Sequence, residues 1–145
     1  MERALKKVLK TTLQPAVRSG TSKTMSAIRG RGTRTTEWGL RMRLVRSGLR
    51  GWVIQPSDVI GQPDFYFPAR RLAVFVDGCF WHHCPECGHI PKTRTEFWAL
   101  KFALNKRRDR RNTARLRCRG ISVIRIWEHE LNTSEWKRVI AIAAR

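Results

Sequence analysis

The fold is decided by GQPDFYFPARRLAVFVD, residues 61–77. Its two short apolar stretches predict a β-hairpin that turns at residues 68–71. Asp64 begins the first strand and Asp77 ends the second, so both carboxylates should fall at the same edge of the sheet. Because Mg²⁺ prefers carboxylate oxygens and water, we expect a Mg²⁺ site there, formed by both carboxylates or by one carboxylate and the Val76 carbonyl. A Pro-Asp step is also common in turns, where Asp64 would only cap the turn.

Apolar spacing predicts an amphipathic helix before this hairpin. The helix covers residues 35–46, and Trp38, Met42 and Val45 share one of its faces. A short strand at residues 52–54 follows it.

The second half of the chain predicts a long helix, a strand and a last helix. Residues 93–96, Thr-Arg-Thr-Glu, have the pattern of a capping box, and the helix that they open closes at Gly120. Residues 121–127 form the clearest strand, and Ser134 caps the last helix. The order α-β-β-β-α-β-α predicts an α/β fold in which helices flank a mixed sheet.

The charge of the chain indicates a polyanionic partner. Its 145 residues carry 30 Lys and Arg against 11 Asp and Glu, a net charge of +19. This is more than solubility requires. An anionic membrane could attract such a chain, but no apolar run approaches the ~20 residues of a spanning helix. We therefore expect nucleic acid, and no membrane, as the partner.

The composition divides the chain in two. Residues 1–24 are a basic extension that we expect to be mobile until it meets nucleic acid, and residues 25–145 form the folded domain. The extension also resembles a mitochondrial transit peptide. Alternatively, translation begins at Met25.

Three cysteines within nine residues indicate a metal site: Cys79, Cys84 and Cys87. Structural Zn²⁺ takes four ligands, usually Cys or His. The fourth ligand could be His89, Cys118 or His129. We choose His129 because it follows the strand of residues 121–127, from which a residue distant in sequence can return to the cysteines. We find no secretory signal pattern, so we expect metal-binding thiolates in a reducing cytoplasm and no disulfides. Zinc would then brace the loop in shape.

Three further residues are candidates for acid–base chemistry. His82 can transfer a proton near neutral pH, although it could also be a zinc ligand. Glu37 could approach the acidic edge or merely favour the helix dipole. Asp109 interrupts the basic run of residues 106–111, which would contact phosphates. It either pairs within its helix or orients a histidine.

Aromatic side chains accompany the cysteines. Phe80 and Trp81 lie inside the cysteine loop, and Trp98 begins the helix that follows. Rigid apolar side chains beside a basic surface can insert between base pairs. Each of these residues alone is better explained by packing, so only the set indicates such a role.

Several segments together match one known family: residues 24–29, 61–65, 76–82, 93–98, 105–110 and 126–128. They resemble the very-short-patch repair (Vsr) mismatch endonucleases over about residues 23–131, and Gly-Cys-Phe-Trp-His at 78–82 is highly specific to that family. The resemblance implies a restriction-endonuclease-like fold. It also implies nicking of one DNA strand 5′ to the thymine of a T:G mismatch, which arises when 5-methylcytosine deaminates.

The resemblance implies roles for individual residues in catalysis. Asp64 would bind Mg²⁺ with help from the Val76 carbonyl, and His82 would be the catalytic histidine. Glu37 is similar to the acid of the family's N-terminal helix, and Asp109 to the acid that supports a histidine.

The resemblance also implies the contacts with DNA and zinc. Met25 would lie in an arm that closes over the minor groove. Phe80, Trp81 and Trp98 would be the aromatic residues that intercalate. Lys101 and Asn105 would approach the mismatched bases. Cys79, Cys84 and Cys87 would be the zinc ligands.

The sequence departs from the family pattern at two positions. Position 77 is His in some members and acts on the phosphate, but ionised Asp77 cannot donate in that way. Either His82 would take over this action on the phosphate, or Asp77 would bind the metal directly. The fourth zinc position is usually Cys, whereas this chain has His129, which zinc also accepts.

The expected activity is thus Mg²⁺-dependent nicking of mismatched duplex DNA by a monomer, with other mismatch-repair proteins as candidate partners. A restriction or mobile-element nuclease of the same fold, cutting paired DNA, is an alternative, because fold does not determine substrate. A zinc-braced DNA-binding module without catalysis is a third reading.

Overall fold

The computed structural model describes residues 34–145. Met25 and the predicted extension, residues 1–24, lie outside the described residues. The helices and strands of the described part are α1 (Arg34–Arg46), β1 (Val53–Ile54), β2 (Phe65–Phe67), β3 (Leu72–Asp77), α2 (Thr95–Cys118), β4 (Ser122–Trp127) and α3 (Lys137–Ala143).

The strands described form one mixed sheet in the order β1-β2-β3-β4. The β2–β3 pair is the predicted antiparallel hairpin, and a 3₁₀ turn at Pro68–Arg70 connects its strands. β3 and β4 run parallel, and α2 lies between them in the chain, as a parallel pair requires a long crossover connection. The prediction of a mixed sheet flanked by helices is confirmed.

Alternation along the strands divides the core between the two faces of the sheet. Leu72 and Val74 of β3 pack with Leu40 and Leu44 of α1 on one face. Ala73 and Phe75 pack with Leu116 of α2 on the other. β3 is therefore covered on both faces, which explains its nearly unbroken apolar sequence.

The face of α1 that packs against the sheet is not the one that carries Trp38, Met42 and Val45. Leu40 and Leu44 are fully buried, whereas Trp38 is 55% exposed and Val45 53% exposed. Met42 is half-buried. Both sets have helical spacing, so periodicity alone could not decide which set meets the sheet.

The predicted helix caps are also wrong. No side chain caps α2: Arg94 precedes the helix in the left-handed region, at φ 56°, and the Thr95 hydroxyl donates to carbonyls upstream. No side chain caps α3 either, and Ser134 contributes only its carbonyl, which accepts from the Lys137 amide. Backbone turns therefore replace the capping side chains that the sequence pattern indicates.

Among the residues described, no helix is both long enough and apolar enough to cross a membrane.

Candidate active site

The alternation of β3 places its functional side chains on the same face as α2. Asp77 follows Ala73 and Phe75 at a spacing of two residues, so it points toward α2 at the end of the strand. Arg125 of β4 lies opposite Phe75 in the parallel register, and its guanidinium stands over the Phe75 ring at 4.8 Å. This end of the β3–β4 pair therefore presents an acid and a base to the helix.

Asp64 lies at the start of β2, where its carboxylate accepts a hydrogen bond from the Val76 amide at 2.6 Å. Burial raises the pKa of Asp64 to about 6; the Val76 hydrogen bond opposes this shift, and the negative charges of Glu37 and Asp77 add to it. Glu37 accepts a hydrogen bond from Gln55 at 3.2 Å. The structure thus brings Glu37 and Asp77 within electrostatic range of Asp64.

His82 and Asp109 form a short side-chain contact in the site. His82 Nδ1 lies 2.6 Å from Asp109 Oδ2 and 3.7 Å from Asp77 Oδ1. Burial opposes ionisation of Asp109, but the hydrogen bond with His82 and the charge of Arg125 prevail and lower its pKa. An ionised Asp109 favours the ring form with hydrogen on Nδ1, which leaves Nε2 available to accept a proton.

Asp77 is paired with Arg125, a residue that sequence reasoning missed. Arg125 Nε and Nη2 each donate to one Asp77 oxygen at 2.6 Å. Burial disfavours the charged guanidinium, but Asp77 and Asp109 outweigh it and raise the pKa of Arg125. The sequence holds a weak signal, an Arg inside an otherwise apolar strand. Such a cation is rarely buried unless it is paired, but the sequence does not name the partner.

A cleft of about 470 Å³ opens beside these side chains. Its walls carry four cations against two acids, and the residues lining it include Lys106, Arg110, Arg117, Arg125, Asp77, Asp109 and His82. In the basic run of α2, Asp109 is half-buried while its neighbours are exposed. The cleft therefore places His82 beside a positive surface, which attracts anions such as a phosphodiester.

The aromatic cluster, defined as Phe80, Trp81, Trp98 and Phe102, lies next to the cysteine loop. Phe80 contacts the other three rings, with centroids 5.1–5.7 Å apart. Trp98 and Phe102 are buried, and Phe80 and Trp81 are half-buried against their neighbours. The cluster thus has a buried base and a partly accessible edge.

Lys101 and Asn105 of α2 border this edge. Lys101 Nζ lies 5.7 Å from the Trp81 centroid and 5.8 Å from that of Trp98. Asn105 Nδ2 donates to the Trp81 carbonyl at 2.9 Å. One turn of helix therefore fixes the position of Trp81 and places a cation beside it.

The structure brings His129 to the three predicted cysteine ligands. The ligand atoms of Cys79, Cys84, Cys87 and His129 lie within 4.8 Å of one another. His129 Nδ1 is 3.3, 3.7 and 3.5 Å from the three sulfurs in turn. Tetrahedral Zn²⁺ with ordinary bond lengths would separate nitrogen from sulfur by about 3.6 Å. The four residues, defined here as the Cys₃His group, could therefore hold a metal ion.

Two acids contact the Cys₃His group. Glu86 Oε2 lies 3.2 Å from His129 Nε2, a contact that leaves Nδ1 to face the sulfurs. Glu128 Oε2 accepts from the Cys79 amide at 3.3 Å. His89 and Cys118, the other candidates for the fourth position, are exposed and lie outside the group.

Acids and a histidine gathered at one end of a mixed sheet, beside a basic cleft, define the class: a hydrolase of phosphodiesters. Comparison with known proteins gives the family. The profile described as "DNA mismatch endonuclease Vsr" matches residues 12–88. The DNA mismatch endonuclease Vsr of Escherichia coli (strain K12) is 40% identical over 116 residues, 79% of this chain and 72% of that protein.

Two nicking enzymes are similar to the same extent. Type II nicking enzyme V.NaeI of Lentzea aerocolonigenes is 39% identical over 123 residues, 82% of this chain and 74% of that protein. Type II nicking enzyme V.XorIIP of Xanthomonas oryzae pv. oryzae is 39% identical over 109 residues, 74% and 79% of the two chains. The chain belongs to the Vsr family of DNA mismatch endonucleases.

Proposed function

We propose that this endonuclease nicks one strand of duplex DNA, 5′ to the thymine of a T:G mismatch, in the cytoplasm of a bacterium and as a monomer. The observation that carries the proposal is the His82–Asp109 contact of 2.6 Å at the wall of a basic cleft. Family membership supports action at a mismatch, and the names of the two nicking enzymes support cutting of a single strand.

The Asp64 carboxylate and the Val76 carbonyl would hold Mg²⁺. In an extended strand the amide and carbonyl of one residue point to the same side, and the Val76 amide already points at Asp64. The raised pKa of Asp64, about 6, also fits a carboxylate that gains stability when a cation binds. Bound Mg²⁺ supplies polarisation of the phosphate and activation of water.

His82 would act as the general base. Asp109 holds the ring through Nδ1, so His82 Nε2 takes a proton from the attacking water as the water oxygen bonds to phosphorus. The P–O bond to the leaving end of the strand breaks, and the leaving oxygen takes a proton from solvent. Glu37 would act indirectly, since its charge adds to the potential at Asp64.

Mismatch recognition would involve the aromatic cluster. A T:G pair is less costly to unstack than a matched pair, so Phe80 and Trp81 would insert beside it preferentially. Trp98, which is buried beneath them, would support the two inserted rings. Lys101 and Asn105 stand at the accessible edge of the cluster, from which they would reach the mismatched bases. Met25 would close over the minor groove.

The Cys₃His group would bind structural zinc. Its donor set of three sulfurs and one nitrogen suits Zn²⁺, and its spacing is close to tetrahedral. Four protein ligands leave no open position, so zinc would hold the loop that carries Phe80, Trp81 and His82 without entering the reaction.

Cleavage of end-labelled duplexes tests the proposal. Purified protein with Mg²⁺ is incubated with a duplex carrying one T:G mismatch, and with matched T:A and C:G duplexes, in several flanking sequences. The proposal predicts one nick 5′ to the mismatched thymine and intact matched duplexes. Cutting of both strands of matched DNA would instead identify a restriction-type nuclease, and Mg²⁺-independent binding without any product a non-catalytic module.

A further inference from the structure

Arg125 is held in one orientation by contacts on three sides. Nε and Nη2 form a two-point contact with Asp77, and Nη2 also lies 3.4 Å from Asp109 Oδ2. The Phe75 ring lies beneath the guanidinium at 4.8 Å. Such fixation removes most of the rotational freedom of a long side chain before any ligand binds.

The guanidinium of Arg125 also has N–H groups that make no hydrogen bond within the described residues. Within residues 34–145, the hydrogen bonds and ion pairs of the Arg125 side chain use Nε and Nη2, and Nη1 has no partner. The side chain is 25% exposed. Arg125 also lines the cleft with His82 and Asp109. Its unused N–H groups are thus accessible from the space where a phosphodiester would meet the histidine.

Arg125 can offset the negative charges that would meet in the cleft. Asp77 and Asp109 both face the cleft, and an incoming phosphate would add negative charge beside them. Lys106, Arg110 and Arg117 line the same cleft from α2, but Arg125 is the cation that contacts both acids. It is therefore the cation closest to the His82–Asp109 pair by the contacts described.

We propose that Arg125 is a catalytic residue that donates from its free guanidinium nitrogen to a non-bridging oxygen of the scissile phosphate, and that Asp77 is the positioning residue that holds it. Charge on these oxygens grows as water attacks, so a preorganised guanidinium stabilises the transition state more than the ground state. The inference rests on the proposed hydrolysis at this site. It gives Asp77 a role that needs neither proton donation nor metal binding.

Single-turnover cleavage separates this role from a purely structural one. The substrate is whichever duplex the wild-type protein cuts, so a failure of the T:G assignment would not be mistaken for a failure of the role of Arg125. Arg125→Ala should slow the cutting step about 10²–10³-fold, as loss of one oxyanion donor does, while the Kd for duplex changes less than about threefold. Millimolar methylguanidinium should restore part of the rate, and methylammonium should not. Arg115→Ala, an exposed α2 position outside the cleft, is the matched control and should cut normally.

Two further variants keep the inference testable if Arg125→Ala does not fold, as checked by circular dichroism. Arg125→Lys retains the charge but cannot form the two-point contact, and should cut at least about tenfold more slowly with unchanged Kd. Asp77→Asn should lower the cutting rate and leave the Mg²⁺ concentration for half-maximal cutting unchanged. Wild-type cutting by a folded Arg125→Lys or Arg125→Ala protein would overturn the inference. A large rise in the Mg²⁺ requirement of Asp77→Asn would overturn it too, because Asp77 would then be a metal ligand.

Discussion

Asp109 fixes the ring of His82, since its Oδ2 atom lies 2.6 Å from Nδ1. Asp109→Asn keeps the size of the side chain but can present its NH₂ group to Nδ1. This favours the tautomer of His82 with hydrogen on Nε2, which cannot accept a proton there. We expect cutting to fall by about 10²–10⁴-fold, the range that general acid–base catalysis contributes. Single-turnover kinetics measure this loss, and the Kd for duplex should not change.

A matched control for this change is Asp58→Asn, which neutralises an exposed acid in the turn before the hairpin. It should cut like the wild-type protein. Wild-type cutting by Asp109→Asn would show that His82 does not depend on this acid.

Asp64 makes the stability of the protein depend on pH. Its pKa is raised from 3.8 to about 6, so the folded protein binds this proton more tightly than the unfolded chain does. The free energy of unfolding therefore falls as pH rises from about 4 to about 6, and the loss is complete above that range. Asp64→Asn should remove this loss and raise stability at pH 8 by roughly 1–3 kcal/mol.

Urea unfolding at several pH values, without Mg²⁺, measures the difference between wild-type protein and Asp64→Asn. The difference should grow between pH 4 and pH 6 and then stay constant. A difference that does not vary with pH would contradict the raised pKa.

At the scale of elements, the cysteine loop has little regular structure between β3 and α2, so we expect metal to determine its stability. Metal analysis should find about one Zn²⁺ per chain. His129→Ala should lose most of this metal and lower the Tm, whereas His89→Ala, which alters an exposed histidine outside the Cys₃His group, should retain it. Full retention of zinc by His129→Ala would exclude His129 as a ligand.

The sequence determined some elements better than their details. The β2–β3 hairpin was predictable because two apolar stretches flank a short turn, and its register places Asp64 beside Val76. The buried face of α1 was not, since Leu40 and Leu44 compete with an equally periodic set of apolar residues. Tertiary packing against the sheet decides between such sets, and one sequence does not contain that information.

The candidate site shows the same division. Motifs in the sequence indicated Asp64, His82 and the three cysteines. The structure places the cysteines with His129, and His82 with Asp77 and Asp109. Arg125 was missed because its importance depends on strand register: only the parallel pairing of β3 with β4 brings it to Asp77. Pairing between strands 48 residues apart is not visible in local patterns.

At the scale of the whole molecule, the net charge of +19 should make duplex binding strongly dependent on salt. Removing three cleft cations together, in Lys106→Ala/Arg110→Ala/Arg117→Ala, should reduce the slope of log K against log salt by about 0.9 for each phosphate that the variant no longer neutralises. Fluorescence anisotropy at several salt concentrations measures the slope. Arg145→Ala, at the exposed C-terminal residue, is the control, and an unchanged slope in the triple variant would place the duplex elsewhere.

The function proposed for the whole molecule is that the sheet end carrying Asp64 and His82 cuts DNA beside a mismatched thymine. The decisive experiment compares wild-type protein and Asp64→Ala on one labelled T:G duplex with Mg²⁺, with cutting and binding measured on the same preparations. We expect a single nick 5′ to the thymine by wild-type protein, and no nick but near-normal binding by Asp64→Ala. Cutting by Asp64→Ala at the wild-type rate would show that this carboxylate does not take part in the reaction.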